Sequence, residues 1–265
     1  MSSNEKLVCE RYDNPLWEDD RATKSRADHM EFHYTKKVMS KYIDLTKSVA
    51  EIGCATGYYG MYFADKCKDY LGIDITPANI IIFNEKIKTN SLNNVRAIIG
   101  DATNLKEQAD NTFDVVMVLG PMYHLPPEER ILVFEESKRI CMNNGIIAYA
   151  YINKTGAYMK GCLLEGKEHI YPNKKANDYI LHKGVDDIHT ELFFFTIPEE
   201  MEKTAKECGL IVLENVGVNF SLSENRINNM SEEQFEAWTE LNDLMCSSPS
   251  CTGMSIHSLL ICRKA

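Results

Sequence analysis

Strand-like apolar runs recur along the first part of the chain with helix-like segments between them: Val49–Ile52, Tyr70–Ile73, Val95–Ile99, Phe113–Leu119 and Ile146–Ile152. Such alternation predicts an α/β fold, with parallel strands joined by right-handed helical crossovers. Val115, Val116, Met117, Val118 and Leu119 are continuously apolar rather than alternating. A strand of that composition is covered on both faces, so the fourth run belongs deep in the sheet.

Helix signals fill the gaps. Met30, Tyr34, Val38 and Tyr42 recur every four residues, with Met39 and Ile43 beside them, which predicts a helix over Asp28–Asp44. Thr76 with Pro77, and Pro126 with Pro127, read as helix starts, and Asn143, Asn144 and Gly145 as a turn into the fifth strand. From Asn153 the pattern loosens until residue 195, longer than a routine connection, and reads as an inserted lid. Thr196 with Glu199 and Ser231 with Gln234 have capping-box spacing, Gly209 ends a helix, and Ile211–Val216 and Ser255–Cys262 read as the last two strands. At 265 residues with 44% hydrophobic content, the chain is expected to form one domain over residues 1–265, with an amino-terminal cap segment 1–44 and the insertion 153–195.

Charge and cysteine usage narrow the partners. Lysine plus arginine total 29 against 39 acidic residues, a formal charge of -10 that repels polyanions, so nucleic acid is not an expected partner. The nine scattered cysteines show no metal-ligand spacing and suit a reducing compartment. No segment approaches the roughly 20 apolar residues of a membrane span, and the first residues carry no signal-peptide core. A cytoplasmic protein without a metal site and without membrane contact is the expectation.

The stretch "VAEIGCATGYYG", Val49 to Gly60, is a strand that breaks into small residues, as a ligand-cradling turn does. Ligands of open α/β sheets bind beyond the carboxyl ends of the strands. There the first three strands place carboxylates: Glu51 within the first, Asp74 after the second, Asp101 after the third. Each alone has a structural explanation as a helix or turn cap. A dinucleotide enzyme uses an aspartate at position 74, yet has no routine use for Asp101 or for Glu51 ahead of the glycines. Pyrophosphate also disfavours nearby carboxylates, whereas a sulfonium-bearing amino acid tolerates them.

Together the motifs resemble those of class I S-adenosylmethionine-dependent methyltransferases. "EIGCATG" stands as motif I with Ala55 at the usual middle glycine, "GIDI" as motif II, "GDATNL" as motif III and "FDVVMVLGPMYHL" as motif IV; "GPMYHL" is similar to a recurrent loop of bacterial members. The resemblance implies a Rossmann-like seven-stranded sheet, mostly parallel with an antiparallel last strand, helices on both faces and a helical cap. It implies S-adenosylmethionine as cofactor and S-adenosylhomocysteine as product. Glu51, Gly53, Cys54, Ala55 and Gly57 would shape the loop under the methionyl part, and Asp74 with Ile75 the ribose site. Asp101 and Ala102 would meet the adenine, and Leu119 and Gly120 would wall the methyl donor. The extra methyl of Ala55 is expected to tighten packing without loss of binding.

Tyr123 and His124 follow the fourth strand, where the methyl group should lie. His124 is the candidate general base, since imidazole titrates near neutral pH, and Tyr123 could face the sulfonium. Arg21, His33 and Tyr34, and from the insertion Tyr158, Tyr171, Tyr179, His182 and His189, are candidates for the acceptor side. The expected reaction is in-line methyl transfer to a small-molecule acceptor. A protein methyltransferase, an NAD(P)-dependent oxidoreductase and a non-catalytic S-adenosylmethionine-binding protein are the alternatives.

Overall fold

A computed structural model describes residues 3–163, 170–220 and 222–265. Its centre is a seven-stranded sheet in the order β3-β2-β1-β4-β5-β7-β6. The first five strands are β1 (Ser48–Ile52), β2 (Asp69–Asp74), β3 (Val95–Ile99), β4 (Phe113–Val118) and β5 (Cys141–Ile152). All pair in parallel. The sixth, β6 (Leu210–Gly217), and β5 flank β7 (His257–Lys264), which runs antiparallel to both. The expected mostly parallel sheet with an antiparallel last strand is therefore present.

Three helices precede the sheet: α1 (Ser3–Arg11), α2 (Pro15–Arg21) and α3 (Arg26–Met39). Crossovers are α4 (Tyr58–Phe63), α5 (Pro77–Thr89), the short α6 (Pro121–His124) and α7 (Pro127–Ile140). After β5 come α8 (Lys154–Leu163) and α9 (Lys174–Ala176), the latter continuing as a π-helical turn over Asn177–Lys183. The chain is completed by α10 (Pro198–Glu207), α11 (Glu224–Asn228), α12 (Glu232–Ser247) and a 3-10 turn, Pro249–Met254. Residues 164–169 of the expected insertion lie outside the described residues.

Strand β4 shows why continuous apolarity marks the middle of the sheet. Val115 and Met117 point into one core layer, Val116 and Val118 into the other, and all four are at most 1% exposed. Each such burial is worth about 1.5–3 kcal/mol. The α3 layer lies on the first face, and α7 with α10 on the second.

Several local expectations shift. The helix predicted over 28–44 runs from Arg26 to Met39, capped by the Ser25 side chain; Tyr42 and Ile43 sit in turns beyond it, where the Tyr42 hydroxyl reaches Glu214 at 2.6 Å. Asn143–Gly145 do not precede the fifth strand but form an irregularity within β5, with Asn144 at positive φ, between the pairs Phe113–Cys141 and Val115–Ile146. The Ser231–Gln234 capping box forms. The Thr196–Glu199 one does not: Pro198 takes the first helical position, which makes Ile197 the cap, and the Thr196 hydroxyl donates instead to Glu200. All nine cysteines are free thiols, and among the described residues no helix is long and apolar enough to cross a membrane.

Candidate active site

The carboxyl ends of β1, β2, β3 and β4 open into one cavity, and the turns after them are built largely from their own backbone. Gly53 and Cys54 donate their amides to Ile73 O at 2.8 and 3.1 Å, which folds the β1 turn over the tip of β2. Gly53 has φ +83°, and a Cβ there would stand 2.5 Å from Leu119 O, so only glycine lets the β1 turn and the β4 tip approach. Ala55, at φ 45°, bears the left-handed strain that a glycine would avoid.

Asp74 ties this turn to the next. Its Oδ2 accepts from the Ala55 amide and its Oδ1 from the Thr76 amide, both at 2.8 Å. Burial raises the Asp74 pKa, and those amides pull it back. Beside it Asn79 is 2% exposed, with Nδ2 3.5 Å from Asp74 Oδ1 and, among the described residues, no hydrogen-bond partner for Oδ1. Asp101 accepts from the Thr103 amide and hydroxyl, both at 2.8 Å. This is the turn-capping arrangement, and it coexists with a place on the cavity wall.

Glu51 differs from the charged group expected of it. It is 1% exposed, its Oε2 accepts from Tyr70 Oη at 2.6 Å, and burial pushes its pKa up to about 8. At neutral pH the carboxyl is chiefly protonated until a cation approaches, so Glu51 presents a negative charge only to a bound cation.

Glu51, Gly53, Cys54, Ala55, Asp74, Ile75, Asp101, Ala102, Leu119, Gly120, Tyr123 and His124 all line this single cavity. Gly57 does not: it caps α4 at φ +84°, and a Cβ there would stand 2.2 Å from the Phe83 ring. It supports the loop from behind.

The opposite wall comes from the amino-terminal helices. Val8 and Tyr12 of the α1 region, Glu18 and Arg21 of α2, and Glu31, Phe32 and Thr35 of α3 face the cavity, with His257 of β7. Clamps hold them there. Cys9 Sγ contacts Ile75 O at 3.7 Å, Asp19 accepts from the Thr56 hydroxyl at 2.8 Å, and Lys86 pairs with Asp19 while reaching Thr56 O at 3.0 Å.

His124 is fully engaged. Its Nδ1 lies 2.9 Å from Leu192 O, a carbonyl that can only accept, so Nδ1 carries the proton. Nε2 therefore accepts from Tyr12 Oη at 3.0 Å. Burial lowers the His124 pKa to about 4. Tyr123 packs between His124 and His257, with ring centroids 4.8 and 6.0 Å away.

Other candidates lie elsewhere. Tyr34 is buried against α12, donating to Thr239 O at 3.1 Å, and His33 packs beside it. Tyr158 bonds Asn177, Tyr171 bonds Asp187, and neither these nor Tyr179, His182 and His189 reach the cavity. The insertion instead acts through Leu192 O and the Phe193 ring, 4.9 Å from His124. Tyr12, Glu18, Glu31 and His257 carry no local sequence signal for a site, because no pattern distinguishes a cap or last-strand residue that folds over a distant loop; Asn79, in the first turns of α5 five residues past Asp74, has that proximity as its signal. Among the described residues no group of three or more His, Cys, Asp or Glu side chains could hold a metal ion.

The residues suit S-adenosylmethionine: Asp74 and Asn79 Oδ1, unpartnered among the described residues, offer acceptors for ribose hydroxyls, and Gly53 lets the β1 turn close against Leu119 at the cavity floor. Residues 49–145 match a family model described as "Methyltransferase domain". An uncharacterized protein of Methanocaldococcus jannaschii is 29% identical over 191 residues, 66% of this chain and 69% of that one. A Haloferax volcanii methyltransferase solved in complex with the Trm112 methyltransferase activator has a TM-score of 0.59 at 16% identity, over 97% of this chain and 96% of its own. An S-adenosylmethionine-dependent methyltransferase of Methanosarcina mazei superimposes with a TM-score of 0.54 at 16% identity, over 86% of this chain and 96% of its own. Motifs, sheet order and family match agree: residues 49–145 carry a methyltransferase domain, set in the seven-stranded Rossmann-like sheet that the motifs implied.

Proposed function

We propose that the protein transfers a methyl group to a small-molecule acceptor by direct in-line displacement. The observation that carries this reading is one cavity with the strand-tip groups Glu51, Asp74 and Asp101 on one wall and the α1–α3 cap on the other. When bound, S-adenosylmethionine supplies an electrophilic methyl group on a positively charged sulfur. The work left to the chain is holding and aligning, which can supply several kcal/mol of a displacement barrier. Asp74 and Asn79 hold the ribose end and Asp101 with Ala102 the base. Leu119, Gly120 and Tyr123 wall the reacting end, and α1 and α2 keep water out.

His124 suits fixing the cap better than taking a proton. A proton leaving an acceptor reaches Nε2 only through the Tyr12 oxygen or after Tyr12 moves, and burial leaves this imidazole a weak base. A small molecule fits a cavity roofed by helices, and the charge of -10 disfavours nucleic acid. Calorimetry with S-adenosylmethionine, S-adenosylhomocysteine and NADH tests the cofactor. A mass-spectrometric survey of metabolites gaining a methyl mass tests the transfer. Retention of NADH with indifference to both sulfur nucleosides would sink the proposal.

A further inference from the structure

Among the described residues, the cap wall of the cavity sets two carboxylates around one guanidinium. Arg21 Nη2 meets Glu18 Oε1 at 3.1 Å, Arg21 Nη1 lies 4.0 Å from Glu31 Oε2, and His257 Nδ1 stands 3.3 Å from that same Glu31 oxygen. Two carboxylates thus share one guanidinium, while burial favours neutral His257. Glu18 is 8% exposed, and among the described residues its second oxygen, Oε2, has no hydrogen-bond partner; neither has Arg21 Nε. A buried carboxylate oxygen without a donor is costly, and such atoms mark places where a ligand completes the bonding.

The cluster borders the expected acceptor space. Glu18, Arg21, Glu31 and His257 line the cavity, and the His257 ring packs 6.0 Å from the Tyr123 ring, which walls the reacting end. Phe32, beneath the Arg21 guanidinium at 5.0 Å, adds an aromatic face.

We propose that Glu18, backed by Glu31, is an ammonium-binding subsite, and that the methyl acceptor is a small amine with an oxygen close to its nitrogen. This rests on reading the cavity as a methyl-transfer site. The ammonium supplies the charge and the donor that Glu18 Oε2 lacks, and the neighbouring oxygen accepts from Arg21 Nε. A neutral alcohol would leave the extra carboxylate uncompensated. Burial raises the Glu18 pKa, as it does for a carboxylate short of counter-charge, and a bound cation keeps it ionised.

The test is binding, read by calorimetry on the full chain loaded with S-adenosylhomocysteine, with 2-aminoethanol, N-methyl-2-aminoethanol and glycine as amine probes and ethane-1,2-diol as the neutral control. At least one amine should bind tenfold or more tighter than the diol. Glu18→Gln, an isosteric change at an oxygen with no partner, should erase that preference while S-adenosylhomocysteine affinity stays within twofold. Amines binding no better than the diol overturn the proposal. So does a Glu18→Gln variant that weakens S-adenosylhomocysteine and leaves the amine preference intact, because the carboxylate then serves the cofactor's own ammonium. Failure of the parent protein to bind S-adenosylhomocysteine would instead refute the methyl-transfer reading itself.

Discussion

The two walls of the cavity are built on different principles. On the strand-tip wall, turns are held by backbone amides, either two residues on, as Thr76 on Asp74 and Thr103 on Asp101, or from the neighbouring strand tip, as Ala55 on Asp74 and Gly53 and Cys54 on Ile73. On the cap wall, long side chains meet from distant parts of the chain, as Tyr12 meets His124 across 112 residues, and polar atoms of Glu18 and Arg21 stay unpartnered. The first wall is fixed by backbone geometry that few sequences satisfy. The second is assembled from side chains that can be exchanged without breaking the turns, as the proposed division between cofactor wall and acceptor wall requires.

Substitutions break or sharpen that contrast. The largest effect is expected for Gly57→Val, which meets both a left-handed backbone and the Phe83 ring. The loss should be about 4 kcal/mol or more, seen as a melting temperature lower by more than about 10 °C. A melt close to the parent's would show the strand-tip wall to be more forgiving than its geometry states. Next, Asp74→Ala should weaken S-adenosylhomocysteine on the order of 100-fold by calorimetry, because charge-assisted hydrogen bonds of about 1.5–3 kcal/mol are lost together with the support of two amides.

The latch between the walls has a pH signature. His124 stays neutral in the fold down to about 4, whereas the unfolded chain's histidine takes up a proton below about 6.5, so protonation favours unfolding and stability falls as pH drops through that window. The contribution amounts to about 3 kcal/mol at its limit. His124→Asn should flatten this part of the stability curve relative to the parent, and an unchanged slope would show that the imidazole is not held neutral. The same variant should lower turnover more than it lowers S-adenosylhomocysteine affinity. The smallest effect is expected for Ala55→Gly: relief of left-handed strain, about 1–2 kcal/mol, is mostly offset by the greater freedom of the unfolded glycine. A net gain below about 1 kcal/mol in denaturant melts, with unchanged cofactor affinity, is the outcome to check.

Much of the strand-tip wall was legible in the residues because its cause is local. Apolar runs such as Val115–Leu119 can only be buried strands, and a glycine turn or an acidic residue just past a strand lies at the sheet's carboxyl end whatever the rest of the chain does. Tyr34 shows the limit. Helical periodicity located its face of α3 but not what covers that face, and α12, from far along the chain, supplied a packing partner where a ligand contact was expected.

By itself the sequence determined the succession of strands, the central ones among them and the carboxyl-bearing tips, since hydrophobic period and turn chemistry act over a few residues. Only the tertiary structure decided that Glu51 is driven toward its neutral form, that His124 is spent on Tyr12 and Leu192, and that Glu18, Arg21, Glu31 and His257 converge. Burial and charge balance depend on what packs around a group in three dimensions, and β7 and the amino-terminal helices become neighbours only once the sheet has formed.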